Sequence, residues 1–265
     1  MQIQQLEGAL GIHLFERRPK GVRLTQVGVE LSPRVRRILT DIDDLQVGAQ
    51  GGQFAGPLRI GAIPTIAPYL LTPAIPLIRG LRAGQLLQIR EAQTHQILRE
   101  LVHGELDVII LSHTVEDPEL ECLQLFTDRI LMALPASVAI AGRAGRNLLS
   151  KMRLLVLEEG HCLRDQVLDY CKRHQMGKID TLGASNLTTL TQMVSHGLGV
   201  TMLPELCAYT ETRRRHIRLT RLPAPEPKRE LHLVWRVASP RRRDYVELRK
   251  LLLAARPKTP SVSRH

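Results

Sequence analysis

From residue 58 onward, short apolar runs alternate with segments whose apolar positions recur every third or fourth residue. The first pattern belongs to buried strands and the second to amphipathic helices. Strands are expected over 58–63, 86–89, 106–111, 154–157, 181–184, 200–203 and 231–237. Helices are expected over 94–103, 162–174, 187–196 and 242–255, with another over 68–81 interrupted by Pro73 and Pro76. Strand–helix alternation of this kind predicts an α/β fold of parallel sheets with helices on both faces. Two such sets suggest two small lobes with a cleft between them.

Before residue 58 the pattern differs. Ile3, Leu6 and Leu10 share one stripe of a helix that Gly11 would stop. Residues 14–24 read apolar, turn, apolar, with Pro19 and Gly21 in the turn, which predicts a β-hairpin. Arg17, Arg18, Lys20 and Arg23 crowd its tip with one sign of charge. That suits a wing holding phosphates better than a merely solvated loop. Thr25 can cap the next helix, which is expected to run to residue 50. There Val27, Leu31, Val35, Ile38, Ile42 and Leu45 are spaced by three and four, a seam long enough for a dimer contact. Pro33 is tolerable only near the first turns or at a kink. Gly48, Gly51, Gly52 and Gly56-Pro57 mark a flexible linker, and the main boundary is placed there. Residues 257–265 are polar and basic, and disorder is expected for them.

The 265 residues fit about two domains at ~150 residues each, ample for cores that need no disulfide or metal staple. Against 26 acidic residues stand 37 Lys and Arg, a net charge of +11. Such an excess favours a polyanionic partner, nucleic acid or an anionic membrane face. No apolar run approaches the ~18 residues of a membrane span. The first residues are not a cationic segment followed by an apolar one, so no signal peptide is expected and the cytoplasm is the default location. Four cysteines are too few for a disulfide scaffold and should be reduced there. Aromatic residues make up only 3%, which argues against a stacking platform for single strands.

The strongest local signal is Glu158-Glu159-Gly160-His161-Cys162-Leu163-Arg164-Asp165-Gln166, which ends a strand and opens a helix. Cys162 falls at or beside the helix N-terminus, where the dipole favours an anion and where His161 and Arg164 can add positive charge. Glu159 and Asp165 oppose them. An oxidant-reactive thiolate would be built in such a place, although a small buried residue of the first turn reads equally well. Cys171 lies nine residues further on, a rise of about 13.5 Å in an intact helix. A disulfide needs Cα atoms within ~7 Å, so the pair makes a poor permanent staple and suits a two-state switch. Cys122 and Cys207 sit among apolar residues and read as core. Thr65 follows the first strand of the α/β part, and Thr94 stands where a helix follows the second. Both places suit a cleft ligand, but plain N-capping is the better reading from the residues alone. His95, His103, His113, His174 and His196 show no metal-ligand spacing, so no metal is expected. Neither a nucleophile elbow nor a phosphate loop is present.

Phe15-Glu16-Arg17-Arg18 through Leu24-Thr25-Gln26-Val27-Gly28 resembles the end of the winged helix-turn-helix of LysR-type transcriptional regulators. Gly56-Pro57-Leu58-Arg59-Ile60-Gly61 with Ile63-Pro64-Thr65, then Glu91-Ala92-Gln93-Thr94-His95-Gln96, and Gly160 through Gln166 resemble the peroxide-sensing members of that family. The likeness runs through nearly the whole chain. It implies the remnant of a winged helix-turn-helix over 1–24 and a linker or dimerisation helix over 25–50. It further implies a regulatory domain over 51–265 of two Rossmann-like, periplasmic-binding-protein-like lobes. Lobe I would take about 57–127 and 229–256, and lobe II about 128–228.

By the same resemblance, Cys162 attacks hydrogen peroxide to give a sulfenic acid, and Cys171 resolves it to a disulfide. Thr65, Thr94 and His161 match positions that bind peroxide or water near the reactive sulfur, and Arg164 and Asp165 are implied as peroxide-binding with them. The implied output is activation of antioxidant genes. The implied partners are promoter DNA, RNA polymerase, a glutaredoxin or thioredoxin as reductant, and further copies of the chain in a homodimer or homotetramer. No cofactor and no membrane are involved, and such a protein is not an enzyme. Family members carry two further helices and a complete recognition helix ahead of the segment that matches Gln2 onward. The sequence as written is therefore expected to hold phosphates weakly and with strong salt dependence. Residues 136–147 are Gly-, Ala- and Arg-rich where the family has a more polar loop. Two other readings compete: a thiol peroxidase using the same Cys162 chemistry for turnover, and a LysR-type regulator that binds a small organic effector with Cys162 inert.

Overall fold

The computed structural model describes residues 2–19, 21–50, 54–81, 86–138, 152–174, 179–213 and 215–257. Lys20, Gly51, Gly52 and residues 139–147 and 258–265, all singled out above, lie outside the described residues. Helix α1 (Gln2–Leu10) stops at Gly11, which adopts φ +68°. The Ile12 amide then donates back to the Glu7 carbonyl at 3.2 Å, a glycine-terminated helix end. Strands β1 (Phe15–Arg18) and β2 (Gly21–Leu24) form the expected hairpin, with Phe15 opposite Leu24. The Glu7 carboxylate accepts the Leu14 and Phe15 amides at 2.6 and 3.1 Å and so ties α1 to β1. Those two bonds hold the half-buried carboxyl below its ordinary range.

Helix α2 (Gln26–Gln50) is capped as expected, the Thr25 hydroxyl accepting the Gly28 amide at 3.0 Å. It continues through Pro33 as one element. Val27, Val35, Ile38, Ile42 and Leu45 all stay exposed, an apolar face without cover. The opposite side is fastened to the α/β part. Buried Thr40 donates to the Gly104 carbonyl at 2.9 Å, Arg36 pairs with Glu105, and Asp44 pairs with Arg236 at 3.8 Å.

The first lobe is built on β3 (Leu58–Ala62), with β4 (Leu87–Glu91) and β5 (Val108–Leu111) parallel on either side. Every residue of β5 is buried, as a strand covered on both faces requires. A π-helical turn (Ala67–Leu71), α3 (Thr72–Gly80), α4 (Thr94–Val102) and α8 (Arg242–Ala255) complete the lobe. The single helix expected over 68–81 is thus two pieces. Pro73 sits in the first turn of α3, where no amide is needed, and Pro76 follows within the helix.

The second lobe holds β7 (Leu154–Leu157) parallel to β8 (Ile179–Ala184), with α5 (Cys162–Arg173), α6 (Leu187–Ser195) and α7 (Glu205–Thr212). Strands β9 (Thr201–Pro204) and β10 (Ile217–Thr220) both run antiparallel to the far half of β6 (Leu120–Pro135). The near half of β6 pairs antiparallel with β11 (Lys228–Arg236), and β11 with β5. The expectation of purely parallel sheets is therefore corrected: the α/β class and the two lobes stand, but a long antiparallel strand pair joins them. Strands β6 and β10 and helix α7 escaped the sequence reading. Thr127-Asp128-Arg129 breaks the apolar run of β6, although Asp128 itself is wholly buried.

Candidate redox site between the lobes

Strand β7 ends at Leu157, and Glu158 to His161 turn the chain into α5, whose first residue is Cys162. Gly160 takes φ +89°, and a Cβ there would lie 2.5 Å from the Gln93 side chain of the opposite lobe. A glycine satisfies both demands at once. Gln93 in turn donates to the Glu159 carbonyl at 3.4 Å, across the cleft. Between these segments lies a cavity of about 10 Å³. Ile63, Pro64 and Thr65 line it from the end of β3, Gln93 and Thr94 from the start of α4, and Gly160, His161 and Cys162 from the other lobe. That is room for about one water. Sites for organic ligands run to ~300–1,000 Å³, so an effector of that kind does not fit here.

The two threonines do not cap helices, which corrects the N-capping reading. Buried Thr65 accepts Arg229 Nη1 on its hydroxyl at 2.8 Å and Nη2 on its carbonyl at 3.1 Å. Because Arg229 occupies a lone pair, the hydroxyl proton of Thr65 remains for the cavity. Thr94 is the first residue of α4, and the N-cap position belongs to Gln93. The Thr94 hydroxyl is buried without a hydrogen-bond partner among the described residues, which suits it to serve whatever occupies the cavity. Behind Thr65, Arg229 Nε pairs with Asp128 at 2.9 Å, and Asp128 accepts the Leu206 amide at 2.9 Å. Both members of the pair are fully buried.

Cys162 is half-buried and reduced, and its sulfur lies 3.1 Å from the Ser112 hydroxyl, just past the end of β5. His161 is buried, and desolvation pushes it below its ordinary value. It is therefore neutral at pH 7 and does not supply the positive charge expected of it. The His161 ring in the folded protein should titrate below pH 6.5, the ordinary imidazole value. Stability tied to this group is complete above that pH and declines as acid drives protonation. Histidine NMR shifts followed from pH 8 to pH 5 check both; a midpoint above 6.5 would contradict the burial argument.

Arg164 and Asp165 are not among the cavity's walls. The Arg164 guanidinium donates to the Leu157 carbonyl at 2.9 Å and braces the turn, and Asp165 is exposed. Cys171 is buried on α5, a free thiol that desolvation raises to about 11. Cys207 is buried with its thiol donating to the Pro204 carbonyl at 3.0 Å, a core residue as expected, and Cys122 is half-buried. No metal-binding group of three or more His, Cys, Asp or Glu occurs among the described residues. No described helix is long and apolar enough to cross a membrane.

Arg17, Arg18 and Arg23 are exposed on the hairpin. The register sets Arg17 opposite Val22 and Arg23 opposite Glu16, so Arg17 lies on one face and Arg18 with Arg23 on the other. Glu16 pairs with Arg18 at 3.2 Å. Sequence reading missed Ser112, Gln93, Arg229 and Asp128. Ser112 had a signal, since it ends a parallel strand just as Thr65 does, the usual place for ligand contacts in such sheets. Arg229 had none, because 164 residues separate it from Thr65.

A cysteine at a helix start thus faces a minute cavity between two α/β lobes. The model of the LysR substrate binding domain matches residues 51–256, and the chain belongs to that family. Its relatives include a probable hydrogen peroxide-inducible genes activator of Streptomyces viridosporus, 37% identical over 259 residues, covering 96% of this chain and 83% of the relative. The DNA-binding transcriptional dual regulator OxyR of Escherichia coli K12 is 37% identical over 257 residues, covering 96% and 84%. Among solved structures, a full-length OxyR mutant of Pseudomonas aeruginosa aligns with TM-score 0.75 and 31% identity over 97% of this chain and 87% of that one. A hydrogen-peroxide-bound OxyR mutant of Corynebacterium glutamicum aligns with TM-score 0.71 and 29% identity, covering 96% and 83%.

Proposed function

We propose that this chain is a hydrogen-peroxide-sensing transcription regulator of the cytoplasm, with Cys162 as its peroxide-reactive residue. The observation that carries the reading is the Cys162 sulfur at a cavity of about 10 Å³ whose buried Thr94 hydroxyl has no partner among the described residues. A molecule little larger than water, with oxygens that both donate and accept, matches that place. The Cys162 thiolate attacks one peroxide oxygen, the S–O bond forms, the O–O bond breaks, and the departing hydroxide takes up the proton that the Cys162 thiol released, leaving as water. Thr65 and Thr94 hold the peroxide oxygens. The Cys171 sulfur then displaces the sulfenic oxygen, which leaves as water and takes up the Cys171 proton. The balance is two thiols and one peroxide to one disulfide and two waters. A dithiol reductant of the glutaredoxin or thioredoxin type returns the pair to thiols.

The remaining elements suit a regulator rather than a turnover enzyme. The hairpin offers Arg17, Arg18 and Arg23 to DNA phosphates. The exposed apolar face of α2 suits a second copy of the chain. Residues 1–24, 25–50 and 51–265 accordingly serve as DNA-binding segment, dimerisation helix and regulatory domain, the output passing to RNA polymerase at antioxidant promoters.

Reduced protein treated with one equivalent of hydrogen peroxide is expected to form a Cys162–Cys171 disulfide that dithiothreitol reverses. Mass spectrometry of non-reduced peptides reads it directly. If Cys162 remains a thiol under these conditions, the peroxide-sensor reading fails.

A further inference from the structure

The motifs and the family resemblance leave the Ser112 hydroxyl without a role. Ser112 is buried at the carboxyl end of β5, in the lobe opposite Cys162. Its Oγ lies 3.1 Å from Cys162 Sγ, and its carbonyl accepts Gln166 Nε2 at 3.4 Å, one turn further along α5. One serine therefore grips the first turn of α5 at two points across the cleft. Beside a thiol, a hydroxyl can donate or accept. Beside a thiolate it can only donate, and a bond to a charged acceptor is about twice as strong as a neutral one. The contact thus tightens when the sulfur takes its nucleophilic form.

The charged and titratable groups around the sulfur leave this task to Ser112. His161 is held neutral by burial, Arg164 is engaged by the Leu157 carbonyl, and Asp165 is exposed. Glu158 and Glu159 precede the helix and carry the wrong sign for a thiolate. From the other lobe, Arg229 is bound to Thr65 and Asp128. His113, next to Ser112, is lowered by partial desolvation and by His232 and adds no charge at neutral pH.

We propose that Ser112 is a positioning residue for Cys162, donating its hydroxyl across the cleft to hold the sulfur at the cavity in the form that attacks peroxide. The inference rests on the reading of Cys162 as peroxide-reactive. The serine keeps its proton throughout the oxidation. When the sulfur leaves for Cys171, the bond is given up and one tie between the lobes goes with it.

The test is the rate of Cys162 sulfenic acid formation in the full chain, trapped with dimedone under hydrogen peroxide, for the parent and Ser112→Ala between pH 5 and 9. Ser112→Ala is expected to react about tenfold more slowly at acid and neutral pH, with the gap closing toward alkaline pH. A merely structural role would slow the reaction equally at every pH, and that result, or rates within about twofold throughout, overturns the proposal. Melting temperatures of the two proteins exclude misfolding as the cause. If the parent itself fails to react, the sensor reading falls and takes this inference with it; if only the Ser112→Ala comparison fails, the sensor reading stands.

Discussion

Replacing Arg229 with methionine is expected to destabilise the protein by about 3–5 kcal/mol. The melting temperature should fall by about 10 °C or more. Arg229 and Asp128 are both wholly buried, where β6 and β11 pass between the lobes. Burial pushes the Asp128 carboxyl up, and the Arg229 guanidinium is the largest force opposing that rise. Methionine fills similar space but leaves the carboxylate, among the described residues, with the Leu206 amide as its hydrogen-bond partner. An uncompensated buried charge is costly in a way that the intact pair is not. The deficit should also depend on pH. With Arg229 gone, the folded-state value of Asp128 rises further above its unfolded value, so folding then takes up a proton. The loss is therefore largest well above that raised value and shrinks as acid protonates the carboxyl. Calorimetry at pH 8 and pH 5 reads both effects, and a melting temperature within about 2 °C of the parent at pH 8 would refute the argument. The substitution also releases Thr65, whose hydroxyl and carbonyl both bond Arg229, so peroxide reactivity should fall even where the fold survives.

Peroxide oxidation is expected to strip amide-exchange protection from residues 162–173, and reduction to restore it. In the reduced state these residues form one helix. Nine residues of helix separate the two sulfurs' Cα atoms by about 13.5 Å, against the ~7 Å a disulfide allows. Opening that helix must expose part of a well-packed face. Leu163, Val167, Tyr170 and Cys171 are buried, and Tyr170 donates to the Pro223 carbonyl at 3.2 Å and stacks on His174 at 4.1 Å. On the proposed reading, the bistable element is a helix that the core holds in the reduced form and that a disulfide would hold open in the oxidised one. Hydrogen-exchange mass spectrometry of the reduced and oxidised protein decides the matter; a Cys162–Cys171 disulfide with protection unchanged would show that another movement joins the sulfurs. Burial gives Cys171 a second signature. Its thiol is raised to about 11, so it should resist iodoacetamide at pH 8 until the helix opens. Below pH 9 this burial has little linkage effect. Above it the unfolded chain loses its proton first, and stability declines between pH 9 and 11.

The elements that positioned the site were readable where local chemistry alone defines them. Helix α5 begins at Cys162 because Gly160 turns the chain and the apolar positions Leu163, Val167 and Tyr170 then recur at helical spacing. Helix α8 falls on its expected bounds, and the Thr25 cap and the Gly11 stop are local devices that any neighbourhood would preserve. Strand β6 was not readable, because its polar centre, Thr127-Asp128-Arg129, is tolerated only through a partner a hundred residues away. Thr94 was misread for a related reason: a threonine at a helix start looks like a cap unless the neighbouring backbone shows that Gln93 holds that position.

Local residue patterns alone dictate the α/β class, the long helix α2 with its apolar face, and a cysteine at a helix N-terminus with a second cysteine out of bonding reach along the same helix. These follow from periodicity and from the fixed rise of a helix, both properties of neighbouring residues. Which polar groups share the cavity, and which of them still have a bond to offer, follows from how distant segments pack together. Thr65 is already held by Arg229, the Thr94 hydroxyl is held by none of the described residues, His161 has lost its charge to burial, and Ser112 reaches the sulfur from the opposite lobe. Such facts depend on desolvation and on contacts between distant segments, and both arise only when the two lobes close on each other.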